Sequence, residues 1–189
     1  MPGTGSEPDM TGDRPEDAVA VTIIWLLMSS PEQFRPARQP AECDPLLLTA
    51  GRPAPELSRF FYRLVGGGWS WLDRIEWTAE QWLDWVSQPG HQLTTCWVDG
   101  VPAGYFELDQ NADEVTLSFF GLAPGFSGRG LGRWLLTEAI TSAWSRPGTD
   151  RIVLHTCTLD SPAALPNYLA RGFTVQRTET EWRAADASR

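Results

Sequence analysis

Five glycines stand between two apolar runs from Phe119 to Leu136, and they limit what this part of the chain can build. Phe119, Phe120 and Leu122 read as the end of a buried strand, which Pro124-Gly125 turns. From Leu131 onward Leu135, Leu136, Ala139, Ile140 and Ala143 recur at helical spacing. Gly128, Gly130 and Gly132 fall at the first turn of that helix. Without Cβ atoms, a ligand can come within hydrogen-bonding distance of the backbone. The first N–H groups of a helix have no internal partner and carry partial positive charge. Such a place suits phosphate or pyrophosphate. The same glycines would also serve close packing of the helix on a sheet, and alone they do not separate the two uses.

A chain of 189 residues suffices for one well-buried domain and is short for two. Residues 1–17 carry Gly, Pro, Ser and Asp with almost nothing to bury. They read as a disordered tail, leaving 18–186 as a single domain. The N-terminus is acidic rather than basic, unlike a secretory signal. The apolar run Ala18–Met28 is too short to span a bilayer, so a cytoplasmic location is expected. A net charge of −9 argues against a nucleic-acid partner, which demands a basic face. It favours approach of a cationic amine, although such a charge also serves solubility alone. All 15 basic residues are Arg, so the chain has no lysine of its own to be acetylated. Cys43, Cys96 and Cys157 are too scattered for a disulfide framework or a metal site. His91 and His155 add no ligand spacing, and no metal is expected.

Along the chain, Val19–Ser29 reads as a strand, and Arg35–Pro55 as a Pro-rich segment, irregular apart from Leu46-Leu47-Leu48, that wraps the surface. Leu57, Phe60, Phe61 and Leu64 predict a helix ended by Gly66-Gly67-Gly68. Thr78 and Gln81 form a capping box for a second helix, ended by Pro89-Gly90. Strands follow over 94–98 and 103–108, joined at Asp99-Gly100, and then over 115–122. The glycine-led helix runs to about Arg146. A strand over 151–158, a helix over 162–171 and a last strand from Thr174 complete the order. This is β, α, α, β, β, β, α, β, α, β, a mixed α+β sheet.

The glycine stretch and the later segment Ser161–Phe173 together resemble the GNAT superfamily of acyl-CoA-dependent N-acyltransferases. Gly130 and Gly132 match the glycine positions of that family's pyrophosphate loop. Tyr168, Gly172 and Phe173 match its Tyr-x-x-x-Gly-Phe ending. The family often has Arg or Gln where Ser127 stands and Asn where Ser161 stands, with Asp160 beside it. Both departures bear on cofactor affinity more than on cofactor identity. The resemblance runs from about Ala18 to Ala184. It implies a mostly antiparallel central sheet with helices on both faces, and acetyl-CoA as acyl donor.

By that resemblance the backbone of Gly121, Leu122 and Ala123 holds the pantetheine arm. The amides of Ser127, Gly128, Arg129, Gly130, Leu131 and Gly132 take the pyrophosphate, with Arg133 and Ser161 close by. Tyr168 is the acid for the leaving thiolate, since a phenol is still protonated at working pH. No carboxylate stands on the strand leading to the loop, so Glu107 on the neighbouring strand is the nearest base; Glu114 is weaker because it lies at a turn. His155 reads more as a core histidine than as a proton carrier. The connection Gly66–Trp77 sits where the family walls its acceptor pocket, and Trp69 and Trp71 suit contact with a cation or serve packing. Trp82 and Trp85, three apart on a helix, read as core. The expected reaction is direct transfer to a small primary amine, by a monomer or homodimer. A protein N-terminus or lysine as acceptor, and a CoA-binding sensor without turnover, stand as alternatives.

Overall fold

The structure is a computed structural model describing residues 18–69 and 71–184. The tail expected over 1–17, Ser70, and positions 185 and 186 lie outside the described residues. The strands are β1 (Ala18–Met28), β2 (Leu46–Thr49), β3 (His91–Val98), β4 (Val101–Asn111), β5 (Glu114–Leu122), β6 (Arg151–Cys157) and β7 (Thr174–Ala184). The helices are α1 (Pro55–Gly66), α2 (Ala79–Val86), α3 (Leu131–Trp144) and α4 (Ala164–Ala170). The strands form one sheet in the order β2-β3-β4-β5-β6-β1-β7, antiparallel throughout except where β5 meets β6. This is the mixed, mostly antiparallel α+β architecture expected from the sequence.

Local signals account for most of it. Asp99 and Gly100 adopt φ of 52° and 77°, the positive values of a two-residue hairpin turn between β3 and β4. Thr78 and Gln81 make both bonds of the capping box at the start of α2. One placement differs from the sequence reading, and another goes beyond it. Leu46–Leu48 does not run over the surface but pairs with β3 as the sheet's edge strand. Leu46 and Leu48 face solvent while Leu47 packs inward, an alternation too short to identify in sequence. β1 slots between β6 and β7, antiparallel to both.

The two faces of the sheet bury separate cores. One core joins Phe106, Leu108, Leu117, Ile152 and Leu154 to Leu135, Leu136 and Ile140 of α3. The other joins Tyr105 and Leu93 to Phe61 and Val65 of α1. A bulge at Ser118 shifts the β4–β5 register, so that Phe119 lies opposite Glu107 and Leu117 opposite Leu108. Beyond the bulge Phe119 therefore packs on the α1 face and Phe120 on the α3 face.

Candidate active site

The β5–β6 ladder stops early. It pairs Glu114 with Arg151, Val115 with Ile152 and Thr116 with Val153, and no further. Farther on, β5 stays paired with β4, and β6 with β1. The sheet thus opens between two parallel strands at their carboxyl ends, where α/β folds place ligands. Ala123 donates its amide to the Ala103 carbonyl (2.9 Å). By the alternation of an antiparallel ladder, Phe120 and Leu122 turn their N–H and C=O groups the other way, toward the opening. Of the three strand-end residues read from sequence, Leu122 thus presents its backbone to the slot. The amide of Ala123 is taken by β4. Gly121 has a packing role as well, for a Cβ there would meet Val65 of α1 at 2.4 Å.

The glycine loop lies at the mouth of this opening. α3 starts at Leu131, with Gly130 as its N-cap residue at φ 81°. Gly128 and Gly125 also adopt positive φ, 84° and 87°. The loop therefore needs glycine for its backbone path, whereas Gly132 lies within the first helical turn, facing Leu122 at 3.4 Å from a built Cβ. Ser127, Gly128, Arg129 and Arg133 are exposed there, with the first N–H groups of α3 between them. Arg171 joins this group, a residue that sequence reasoning missed. Its Nε and Nη1 are buried without a hydrogen-bond partner among the described residues. Burial lowers its pKa and the charge of Arg133 lowers it further. Two cations held this near each other suit phosphate oxygens. The Ser161 hydroxyl instead accepts the Ala163 amide (3.3 Å) at the start of α4.

On the α3 face Tyr168 is buried at 6% exposure, its ring set edge-on to Phe120 and Phe173. α4 is tied to the loop helix by Asn167 Nδ2, which donates to the Gly132 carbonyl (3.3 Å). Burial holds the Tyr168 phenol well above its ordinary pKa, and nearby Asp160 adds to this. The group stays protonated, as an acid must.

On the α1 face Glu107 is wholly buried. Ser58 Oγ donates to its Oε1 (2.5 Å) and Trp85 Nε1 to its Oε2 (2.6 Å). His91 Nε2 stands 3.6 Å from the same carboxylate, and His91 Nδ1 lies 3.0 Å from Asp109 Oδ1. Asp109 in turn accepts the hydroxyl of Ser118 at the bulge (2.6 Å). Polar groups on three strands thus converge from the bulge to Glu107. Burial raises the Glu107 pKa, against the hydrogen bonds from Ser58 and Trp85. A buried carboxylate of perturbed pKa is a mark of functional sites. Glu114 instead pairs with Arg151 at the start of β5 (2.8 Å), away from the opening. His155 is not a core residue: it is exposed, its ring 4.8 Å from Trp25.

Trp69 and Trp71 part company. Trp71 packs on Tyr62 and Phe119, and its Nε1 donates to Asp160 Oδ1 (3.1 Å). Asp160 also accepts from Thr156 Oγ1 (2.6 Å) and the Cys157 amide (3.0 Å). Trp71 therefore reaches from β5 to the end of β6, across the opening. Trp69 is half-buried, and its indole makes no ring contact or hydrogen bond among the described residues. Trp82 is core at 1% exposure, but Trp85 holds Glu107. Among the described residues no cluster of His, Cys, Asp or Glu could hold a metal ion, and no helix is long and apolar enough to cross a membrane.

Comparison with known proteins bears on this geometry. Residues 55–173 match the model of the acetyltransferase (GNAT) family. A comparison with curated protein sequences finds no match. A GCN5-related N-acetyltransferase from Sphaerobacter thermophilus superposes with a TM-score of 0.65 at 17% identity, over 85% of this chain and 50% of that one. Another from Kribbella flavida gives 0.58 at 18% identity, over 86% of this chain and 59% of that one. An aminoglycoside N-acetyltransferase in complex with CoA gives 0.52 at 16% identity, over 71% and 91%. The chain thus spans about half the length of the first of these structures. At such identities the structures speak for the fold, and the family model speaks for descent: this chain belongs to the GNAT family of acetyltransferases.

Proposed function

We propose that the protein transfers an acyl group, acetyl in the simplest case, from its CoA thioester to a primary amine of a small molecule, by direct attack in a ternary complex. One observation carries this reading: the opening between β5 and β6 ends at a helix N-terminus led by glycines of positive φ. A thioester arm fits such a slot and a pyrophosphate fits its mouth. Backbone groups of Phe120 and Leu122 would hold the arm. The amides from Ser127 to Gly132, with Arg133 and Arg171, would hold the phosphates.

The chemistry asks for a neutral amine, a polarised carbonyl and a proton for the thiolate. Tyr168 supplies the proton from one face of the sheet. Glu107, with His91 and Asp109 behind it, receives the amine's proton from the other. A small acceptor is favoured because Trp71 bridges the opening, which leaves a narrow approach rather than a groove for a polypeptide. One structural neighbour acts on aminoglycosides, which are small polyamines, and this agrees with that choice.

The test is release of free thiol from acetyl-CoA with a panel of small amines, beside peptides bearing a free N-terminus or a lysine. Thiol release with small amines alone supports the proposal; release with peptides alone makes a protein the acceptor. Tight binding of acetyl-CoA without release under any condition makes the protein a CoA sensor, a reading that the enclosure of Glu107 by Ser58 and Trp85 favours.

A further inference from the structure

Between α1 and α2 the side chain of Arg74 lies inside a box of aromatic rings. Its guanidinium carbon is 3.8 Å from the centroid of Trp85, 4.3 Å from Trp77 and 4.5 Å from Phe119. All three distances are within cation–π range. Its Nη1 is buried and makes no hydrogen bond among the described residues. Burial lowers the pKa of this guanidinium, while the charges of Glu107 and Asp109 act in the opposite direction. No ion pair within 4 Å joins Arg74 to Glu107 among the described residues. A structural arginine placed to neutralise a buried glutamate would be expected to fork onto it. Here Trp85 and Ser58 bind the carboxylate, and the cation is held by ring faces.

We propose that the box of Trp77, Trp85 and Phe119 is a binding site for a cationic group, a guanidinium or a primary ammonium, and that Arg74 is its resting occupant. The occupant is tethered by a connection in which the described residues, 67–69 and 71–78, form neither helix nor strand. Turn bonds within the segment, such as Ile75 to Leu72 (3.1 Å) and Trp77 to Arg74 (3.2 Å), shape its backbone, and side-chain bonds fasten it to its surroundings: the Arg74 amide to Tyr62 Oη (3.2 Å), Arg63 to the Ile75 carbonyl (3.4 Å), and Trp71 to Asp160. Withdrawal of Arg74 would leave a desolvated cage with Glu107 beside it and Phe119, its floor, on the strand that edges the opening. A cationic acceptor would take that place by competing with Arg74. The proposal rests on the acyl-transfer reading only in naming the cation as the acceptor's.

Arg74→Met keeps the stem and removes the charge. The folded variant and the native protein are titrated with methylguanidinium chloride and with uncharged N-methylurea at constant ionic strength, read by tryptophan fluorescence. The expected result is saturable quenching by methylguanidinium alone, about tenfold tighter in the variant, the scale of a desolvated cation–π contact. No saturable response in a folded variant, or an equal response to both compounds, overturns the proposal and leaves Arg74 a packing residue. Should Arg74→Met fail to fold, the Arg74 Nε–H resonance of the native protein is followed with added methylguanidinium. A saturable move toward the position of solvent-exposed arginines supports displacement, and an unmoved signal overturns it. Neither measurement needs acyl-CoA, so a protein that binds the cation without acetyl transfer refutes the enzymatic reading and not this one.

Discussion

At the scale of single residues, the proposed reaction would draw on Tyr168 and Glu107 from opposite faces of the sheet. Tyr168→Phe keeps the ring against Phe120 and Phe173 and removes only the hydroxyl. The kcat for acetyl transfer should fall about 100-fold, with little change in the Michaelis constant for acetyl-CoA, and steady-state kinetics decides it. Gly130→Glu places a β-carbon at φ 81° and a negative charge at the loop, so calorimetry should show acetyl-CoA binding lost. Gly130→Asn tolerates that φ without the charge and should retain most of the affinity. Glu107 predicts a pH effect of definite sign. Its folded pKa lies above the unfolded one, so the native state holds its proton over a range where the unfolded chain has lost it. Stability from this residue is therefore present at low pH and is lost as pH rises from the ordinary glutamate range through the raised value. Glu107→Gln should lack that decline, which urea unfolding of both proteins across this range would reveal as a difference in slope.

At the scale of elements, the sequence was most legible where a signal is local. The capping box at Thr78, the Asp99-Gly100 turn and the glycine-led helix need only a few neighbouring residues, and all three stand in the structure. Arg74, Trp77 and Trp85 were not legible as a unit, because the box closes only once α2 packs beside Phe119 of β5. Arg171 escaped for a similar reason: nothing in the order of residues shows that α4 brings it near Arg133. Trp71 lay between, since its segment was identified while its partner Asp160 was not. Trp71→Phe keeps the aromatic contacts and deletes one partly buried hydrogen bond. It should cost about 1 kcal/mol, a fall of about 2–4 °C in Tm for a domain of this size. A calorimetric scan showing no change would mean that the bond to Asp160 does not fasten the segment.

At the scale of the whole molecule, the sheet depends on pairing between distant parts of the chain. β1 holds together β6 and β7, and Leu26, at 1% exposure, sits in the larger core. Leu26→Ala should therefore lower unfolding free energy by about 2–5 kcal/mol, as in other buried large-to-small changes, measured by urea titration. The same topology sets an order of events during synthesis. β1 leaves the ribosome before either neighbour exists, and at about 5–20 residues per second its first partner, roughly 120 residues later, follows after about 6–25 s. Through that interval an apolar strand with two unsatisfied edges waits in the nascent chain, the kind of segment that pairs with whatever strand it meets. Codon choice and chaperone supply between β1 and β6 should therefore affect the yield of folded protein.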